Sequence, residues 1–210
     1  MQAKHLIWDF DGTLYDSYPL LLSALLDALE AMGAKNVSPM EALALLKGSV
    51  SKAAEHFANQ YQLDLQALLE RFESNQEGDE PKPYEGIPAL LQSLHKAGYK
   101  HYLYSHRNAG AYACLEADGL LPLFEDGITS NDGYPRKPAP NALHALMRRN
   151  RLAPEACAMI GDRSIDISAG HNARMLGILF DPDGFYPHSK ADIYVQSVKE
   201  LGTCLLSARA

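Results

Sequence analysis

Apolar runs and helical periodicities divide the chain into two regimes. The first run, Leu6-Ile7-Trp8 within residues 5–10, has the length of a strand. The period then lengthens. From 20 to 33, Leu21, Leu22, Leu25, Leu26, Leu29 and Met32 recur at helical spacing, and Gly33 closes the segment. Ser38-Pro39-Met40-Glu41 reads as a capping box with proline at the first helical position, so a second helix starts there. Gly48 breaks it. Residues 51–61 and 65–75 predict two more helices, the second with Asp64 as N-cap. No strand signal falls between Thr13 and Pro83.

Glu77-Gly78-Asp79-Glu80-Pro81-Lys82-Pro83 is polar and proline-rich, a linker by composition. Past it, helix and strand alternate. A helix at 88–97 leads to a strand at 99–105, and a helix near 110–118 to a strand at 124–129. A helix at 140–151 leads to Ala158-Met159-Ile160, then a helix near 164–174 to a strand at 177–180. Such alternation predicts an α/β fold: a Rossmann-like parallel sheet with helices on both faces. The helical block becomes a small all-helical cap inserted after the first strand. The expected boundaries are 1–14 with 84–210 for the core and 15–83 for the cap.

Composition changes this picture little. At 210 residues, with 47% hydrophobic and 21% charged positions, a sizeable core is within reach. The net charge of −7 argues against nucleic acid or an anionic membrane as main partner, yet leaves room for an anionic substrate at a locally positive site. Cys114, Cys157 and Cys204 are odd in number and widely spaced, against a disulfide framework or structural zinc. With no leader signature and no long apolar run, a cytoplasmic location is expected. Histidines 5, 56, 95, 101, 144, 171 and 188 show no metal-ligand spacing.

In open parallel sheets, ligands bind beyond the carboxyl ends of the strands. Polar, reactive residues collect there: Asp9 and Asp11; Ser105, His106, Arg107 and Asn108; the segment before Lys137; and Gly161-Asp162-Arg163. Two carboxylates two residues apart point to one side of a strand, and like charges so close call for a cation or a shared proton. Each residue also has a plainer reading. Asp-Gly is common in turns, acids suit helix starts, and most lysines are solvated. Four such coincidences in chain order are harder to accept.

The set resembles the haloacid dehalogenase-like (HAD) hydrolase superfamily. Asp9-Phe10-Asp11-Gly12-Thr13-Leu14 matches its first motif, Ser105 its second, Lys137 in Arg136-Lys137-Pro138 its third, and Gly161-Asp162-Arg163-Ser164-Ile165-Asp166 its fourth. The nearest look is to phosphoglycolate phosphatase-like and beta-phosphoglucomutase-like members. The resemblance implies Asp9 as nucleophile forming an aspartyl-phosphate, and Asp11 as acid and then base. It implies Mg2+ held by the carboxylates of Asp9 and Asp162, the backbone carbonyl of Asp11, and Asp166 through water. Ser105 and Thr13 would bind the phosphoryl group and Lys137 would offset charge. His106 and Arg107 are candidate substrate contacts, although relatives commonly carry Asn where His106 stands; that ring could equally pack against the cap.

An acid at 11 favours phosphate over halide as leaving chemistry. Lys47 of the cap is a candidate contact to a sugar or second phosphate, or a solvated lysine at a helix end. Nothing in the sequence marks Lys47 or Lys52 as desolvated, as a Schiff-base lysine would be. The expected activity is Mg2+-dependent hydrolysis of a small phosphorylated metabolite. A sugar phosphomutase, or an idle binding protein on the same fold, are the alternatives. The cap is expected to move against the core about its two linkers.

Overall fold

A computed structural model describes residues 3–76, 80–187 and 190–207. The middle of the expected linker, Glu77-Gly78-Asp79, and His188 lie outside the described residues. The chain divides into two compact units, Met1–Tyr15 with Pro83–Ala210, and Asp16–Lys82.

Side-chain alternation builds the larger unit. Its strands are β1 (His5–Trp8), β4 (Lys100–Tyr104), β5 (Phe124–Ile128), β6 (Cys157–Gly161), β7 (Leu176–Phe180) and β8 (Ile193–Val195). Between them run α5 (Ile87–Lys96), α6 (Gly110–Ala117), α7 (Asn141–Asn150) and α8 (Ser164–Asn172), with α9 (Val198–Ser207) last. Successive strand residues face opposite ways. Leu6 and Trp8 of β1 share a buried layer with Leu103, Ile160, α5 and α9. Ile7 goes to the opposite layer with Tyr102, Tyr104, Met159 and α7.

The six strands are ordered β5-β4-β1-β6-β7-β8, and every pairing is parallel. From β1 the chain steps outward to β4 and β5, then returns to β6 on the far side of β1. The order therefore reverses beside β1. Such a switch point opens a crevice beyond the carboxyl ends of the strands.

The fold adds pieces beyond those expected. β8 and α9 extend the sheet past Phe180. β8 has three residues, and its Tyr194 is part-exposed at the sheet edge, so it leaves almost no periodic trace. Contrary to the strandless reading of 14–83, β2 (Tyr15–Asp16) and β3 (Lys82–Pro83) form a two-stranded sheet. Two residues of ladder are too few to impose a period-two pattern.

The smaller unit is α1 (Tyr18–Ala31), α2 (Pro39–Gly48), α3 (Val50–Tyr61) and α4 (Leu65–Ser74). The starts of α2, α3 and α4 are fixed by side-chain caps. Ser38 Oγ accepts from the Glu41 N–H at 3.3 Å, Ser49 Oγ from Lys52 at 3.4 Å, and Asp64 Oδ1 from Ala67 at 2.7 Å. Leu25, Leu29, Leu46, Phe57, Leu68 and Phe72 fill the unit's own core. Among the described residues, no helix is long and apolar enough to cross a membrane.

One polar pair lies inside the larger core. The indole N–H of Trp8 donates to His101 Nδ1 at 3.0 Å, and His101 Nε2 lies 3.1 Å from the Leu91 carbonyl. One nitrogen accepts and the other donates, which is the neutral ring's full capacity. Burial pushes the His101 pKa down to about 4. An unfolded histidine titrates near 6.5, so this stability is complete above that pH and is lost as pH falls toward 4. Wild type should lose about 3 kcal/mol more between pH 7 and pH 4 than a His101→Gln variant, read from urea midpoints. Equal losses would refute the account.

Candidate active site

β1 delivers the site. Asp9 continues its ladder, the N–H donating to the Ile160 carbonyl at 2.8 Å. Alternation places Phe10 in the Trp8 layer and Asp9 toward the Ile7 side, where α8 and the segment before α7 supply its partners. The chain then turns at Gly12, whose φ of +76° suits a residue without Cβ. The Gly12 N–H closes that turn on the Tyr15 carbonyl at 2.8 Å.

Lys137 reaches the same point from the loop between β5 and α7. Its side chain is fully buried. The Nζ lies 2.7 Å from Asp9 Oδ1, 2.8 Å from Asp166 Oδ1 and 2.9 Å from the Tyr104 carbonyl. Three acceptors match the three protons of an ammonium. Asp166 sits in the first turn of α8, and its Oδ2 accepts from the Arg163 N–H at 3.0 Å. Gly161 makes this approach possible, because a methyl group there would overlap Asp166 Cβ and Cγ.

Asp162 is buried beside them. Arg163 carried no expected role, yet its guanidinium lies 3.9 Å from Asp9, 3.7 Å from Asp162 and 4.0 Å from Asp166. Its signal was its place just past a strand end, between two acids at a helix start.

The electrostatics follow from burial. Desolvation pushes the Asp9 pKa up to about 6 against the pull of Lys137. Asp166 is equally desolvated, but Lys137, Arg163 and the Arg163 N–H hold it below the usual carboxylate range. Burial opposes the charge of Lys137; Asp166 and Asp9 outweigh it and raise its pKa.

These residues fit a hard divalent cation. One oxygen from each of Asp9, Asp162 and Asp166 lies within 4.8 Å of the others. Three carboxylates face two cations, leaving negative charge in excess. Asp9 Oδ2 has no hydrogen-bond partner among the described residues. Oxygen donors of this kind suit hard divalent cations such as Mg2+ or Ca2+.

Asp11 stands apart from the cluster, paired with Arg107. Arg107 Nη2 donates to Asp11 Oδ1 at 2.8 Å, and Nε reaches Oδ1 at 3.2 Å and Oδ2 at 3.3 Å. Both side chains are 26% exposed, against 0–2% for Asp9, Asp166 and Lys137. The Arg107 N–H donates to Ser105 Oγ at 2.9 Å, and the guanidinium lies 5.3 Å from the centre of the Phe10 ring.

His106 has a contact that the sequence did not suggest. Its Nε2 accepts from the Lys137 N–H at 2.9 Å, and its ring stands edge-on to Tyr104. The Arg136 Nε contact to Nδ1, at 3.5 Å, is too long to compete. Burial first, then Lys137 and Arg136, push its pKa down to about 3. The ring is a neutral acceptor that fixes the Lys137 backbone.

Ser105 is buried at the end of β4, and Thr13 is buried with no partner for its hydroxyl among the described residues. Lys47, in the helical unit, is buried with Nζ 4.5 Å from the centre of the Tyr18 ring. Of its two readings, this overturns the solvated lysine at a helix end. Its helical position gave no hint of an aromatic partner one helix away. Lys52 is exposed.

The family model described as haloacid dehalogenase-like hydrolase matches residues 6–180. A phosphoglycolate phosphatase of Photobacterium profundum is 30% identical, covering 81% of this chain and 80% of its own. A hydrolase of known structure from Streptococcus pneumoniae is 29% identical with a TM-score of 0.67, covering 98% of this chain and 99% of that one. The magnesium-bound HAD-hydrolase YfnB of Bacillus subtilis shares the fold at 19% identity, TM-score 0.78, over 98% of this chain and 99% of that one.

Proposed function

The chain belongs to the haloacid dehalogenase-like hydrolases, and we propose that it is a Mg2+-dependent phosphatase acting on a small phosphorylated metabolite through an aspartyl-phosphate. The observation that carries this reading is Asp9. It is a buried carboxylate at a strand end, held at one oxygen by Lys137 at 2.7 Å, with Asp162 and Asp166 beside it and Asp11 two residues on. The Photobacterium relative, a phosphoglycolate phosphatase, supports the phosphatase reading.

An Asp9 oxygen attacks phosphorus and the ester P–O bond breaks. The electron pair goes to the leaving oxygen, which takes a proton from Asp11. Water then attacks the aspartyl-phosphate while Asp11 takes its proton. The bond from phosphorus to Asp9 breaks, returning the carboxylate and releasing inorganic phosphate. Ser105, just past β4, and Thr13, in the turn after β1, would bind the phosphoryl oxygens. Lys137 reduces repulsion between Asp9 and the incoming phosphate, and Arg163 adds a second positive charge.

Asp9 and Asp162, with the Asp11 carbonyl, would hold Mg2+ directly. Asp166, with both oxygens engaged by Lys137 and the Arg163 N–H, suits a water-mediated place. When bound, Mg2+ supplies positive charge against the phosphoryl oxygens.

Turnover of p-nitrophenyl phosphate should be saturable with Mg2+, fall to background in EDTA, and return when Mg2+ is restored. No metal-dependent release of phosphate, from this compound or from a panel of phosphorylated metabolites, would sink the reading.

A further inference from the structure

The Arg107–Asp11 pair poses a problem for any acid or base at position 11. Both Asp11 oxygens face the guanidinium, at 2.8 to 3.3 Å. A group that must touch the leaving oxygen needs one of them free. Both partners are also part-exposed, unlike Asp9, Asp166 and Lys137. Among the described residues, the hydrogen bonds of Arg107 use Nε and Nη2, which leaves Nη1 as an uncommitted donor.

The rest of Arg107 is fixed. Its N–H is tied to Ser105, its carbonyl accepts from the Ser130 N–H at 3.0 Å, and the guanidinium lies over Phe10. A guanidinium fork matches a carboxylate or a phosphate equally well. It can pass from one oxyanion to another without losing its charge partner.

We propose that Arg107 is a specificity-determining residue: it selects phosphate compounds that carry a second oxyanion beside the bond to be broken. That oxyanion takes the fork from Asp11 and releases the Asp11 carboxyl toward the leaving oxygen. A substrate lacking it leaves Asp11 engaged. The proposal rests on the phosphoryl-transfer reading above and narrows its substrate class. The second oxyanion is a carboxylate or a further phosphate.

Two matched comparisons separate these. Phosphoglycolate is set against its neutral amide, phosphoglycolamide, and ethylene glycol bisphosphate against 2-hydroxyethyl phosphate, so that the leaving oxygen is of the same kind within each pair. In wild type, kcat/KM should favour the anionic member of at least one pair by about tenfold or more, the size of one well-placed charged hydrogen bond. Which pair shows the preference identifies the oxyanion. In Arg107→Met the preference should collapse to within about threefold. Arg107→Lys, which keeps the charge and loses the fork, should retain part of it.

No preference in wild type, or an undiminished one in Arg107→Met, overturns the proposal. If either occurs while Mg2+-dependent p-nitrophenyl phosphate turnover persists, the phosphatase reading stands alone. If no probe is turned over, both fall.

Discussion

Asp9→Asn is expected to lower p-nitrophenyl phosphate turnover by about 10⁴-fold or more, the scale on which loss of a nucleophile is felt. The amide keeps the shape and the carbonyl oxygen, so the Lys137 contact at 2.7 Å survives as a weaker, uncharged-acceptor bond. What is lost is a nucleophilic oxygen able to bond phosphorus. The fold should not suffer in proportion. Burial disfavours the charge on Asp9, so removing that charge removes a cost as well as an ion pair. Thermal unfolding should shift by only a few degrees, roughly 1 kcal/mol for a chain of this size. A variant that folds and retains full turnover would remove Asp9 from the nucleophile's place.

Lys137→Met should have the opposite balance, with a large effect on stability as well as on rate. The methionine fills similar volume without charge. It strands Asp9 and Asp166 in a dry interior, with Arg163 about 4 Å away as the remaining cation. Breaking a buried pair in this way costs about 3–5 kcal/mol. Turnover should fall by about 10²–10³-fold, as when one preorganised charge partner of the transition state is removed. The double variant with Asp9→Asn checks the cause. Removing the stranded carboxylate should recover about 1–3 kcal/mol of the Lys137→Met loss, read from denaturant midpoints. Strict additivity of the two changes would refute the ion-pair account.

Much of this architecture was written locally. The β1 run ending in Asp9 and Asp11, the Ser38 and Asp64 caps, and the apolar faces of α1 and α5 each follow from residues a few positions apart. Pairings across long separations were not legible in that way. Arg107 follows a strand and so was marked as a candidate, but its partner Asp11 lies 96 residues away. His106 has the chemistry of a phosphate ligand. Only the placement of the Lys137 loop, 31 residues on, gives its Nε2 a backbone N–H to accept from. Lys47 looked solvated because helical spacing cannot show an aromatic ring on the next helix. Local chemistry names the residues, and tertiary contact assigns their partners.

The alternation of β1 also bears on how such a chain can change over time. Leu6, Trp8 and Phe10 belong to one layer, and Ile7 with Asp9 to the other. Exchange of one apolar residue for another along this strand preserves that phase. Gain or loss of a single residue before Asp9 reverses it, turning the carboxylate into the Trp8 layer and a large apolar side chain toward Lys137. Selection can therefore be lenient about what β1 is made of and strict about how many residues it contains. Length variation is left to the connections at the amino ends of the strands, which carry none of the site residues.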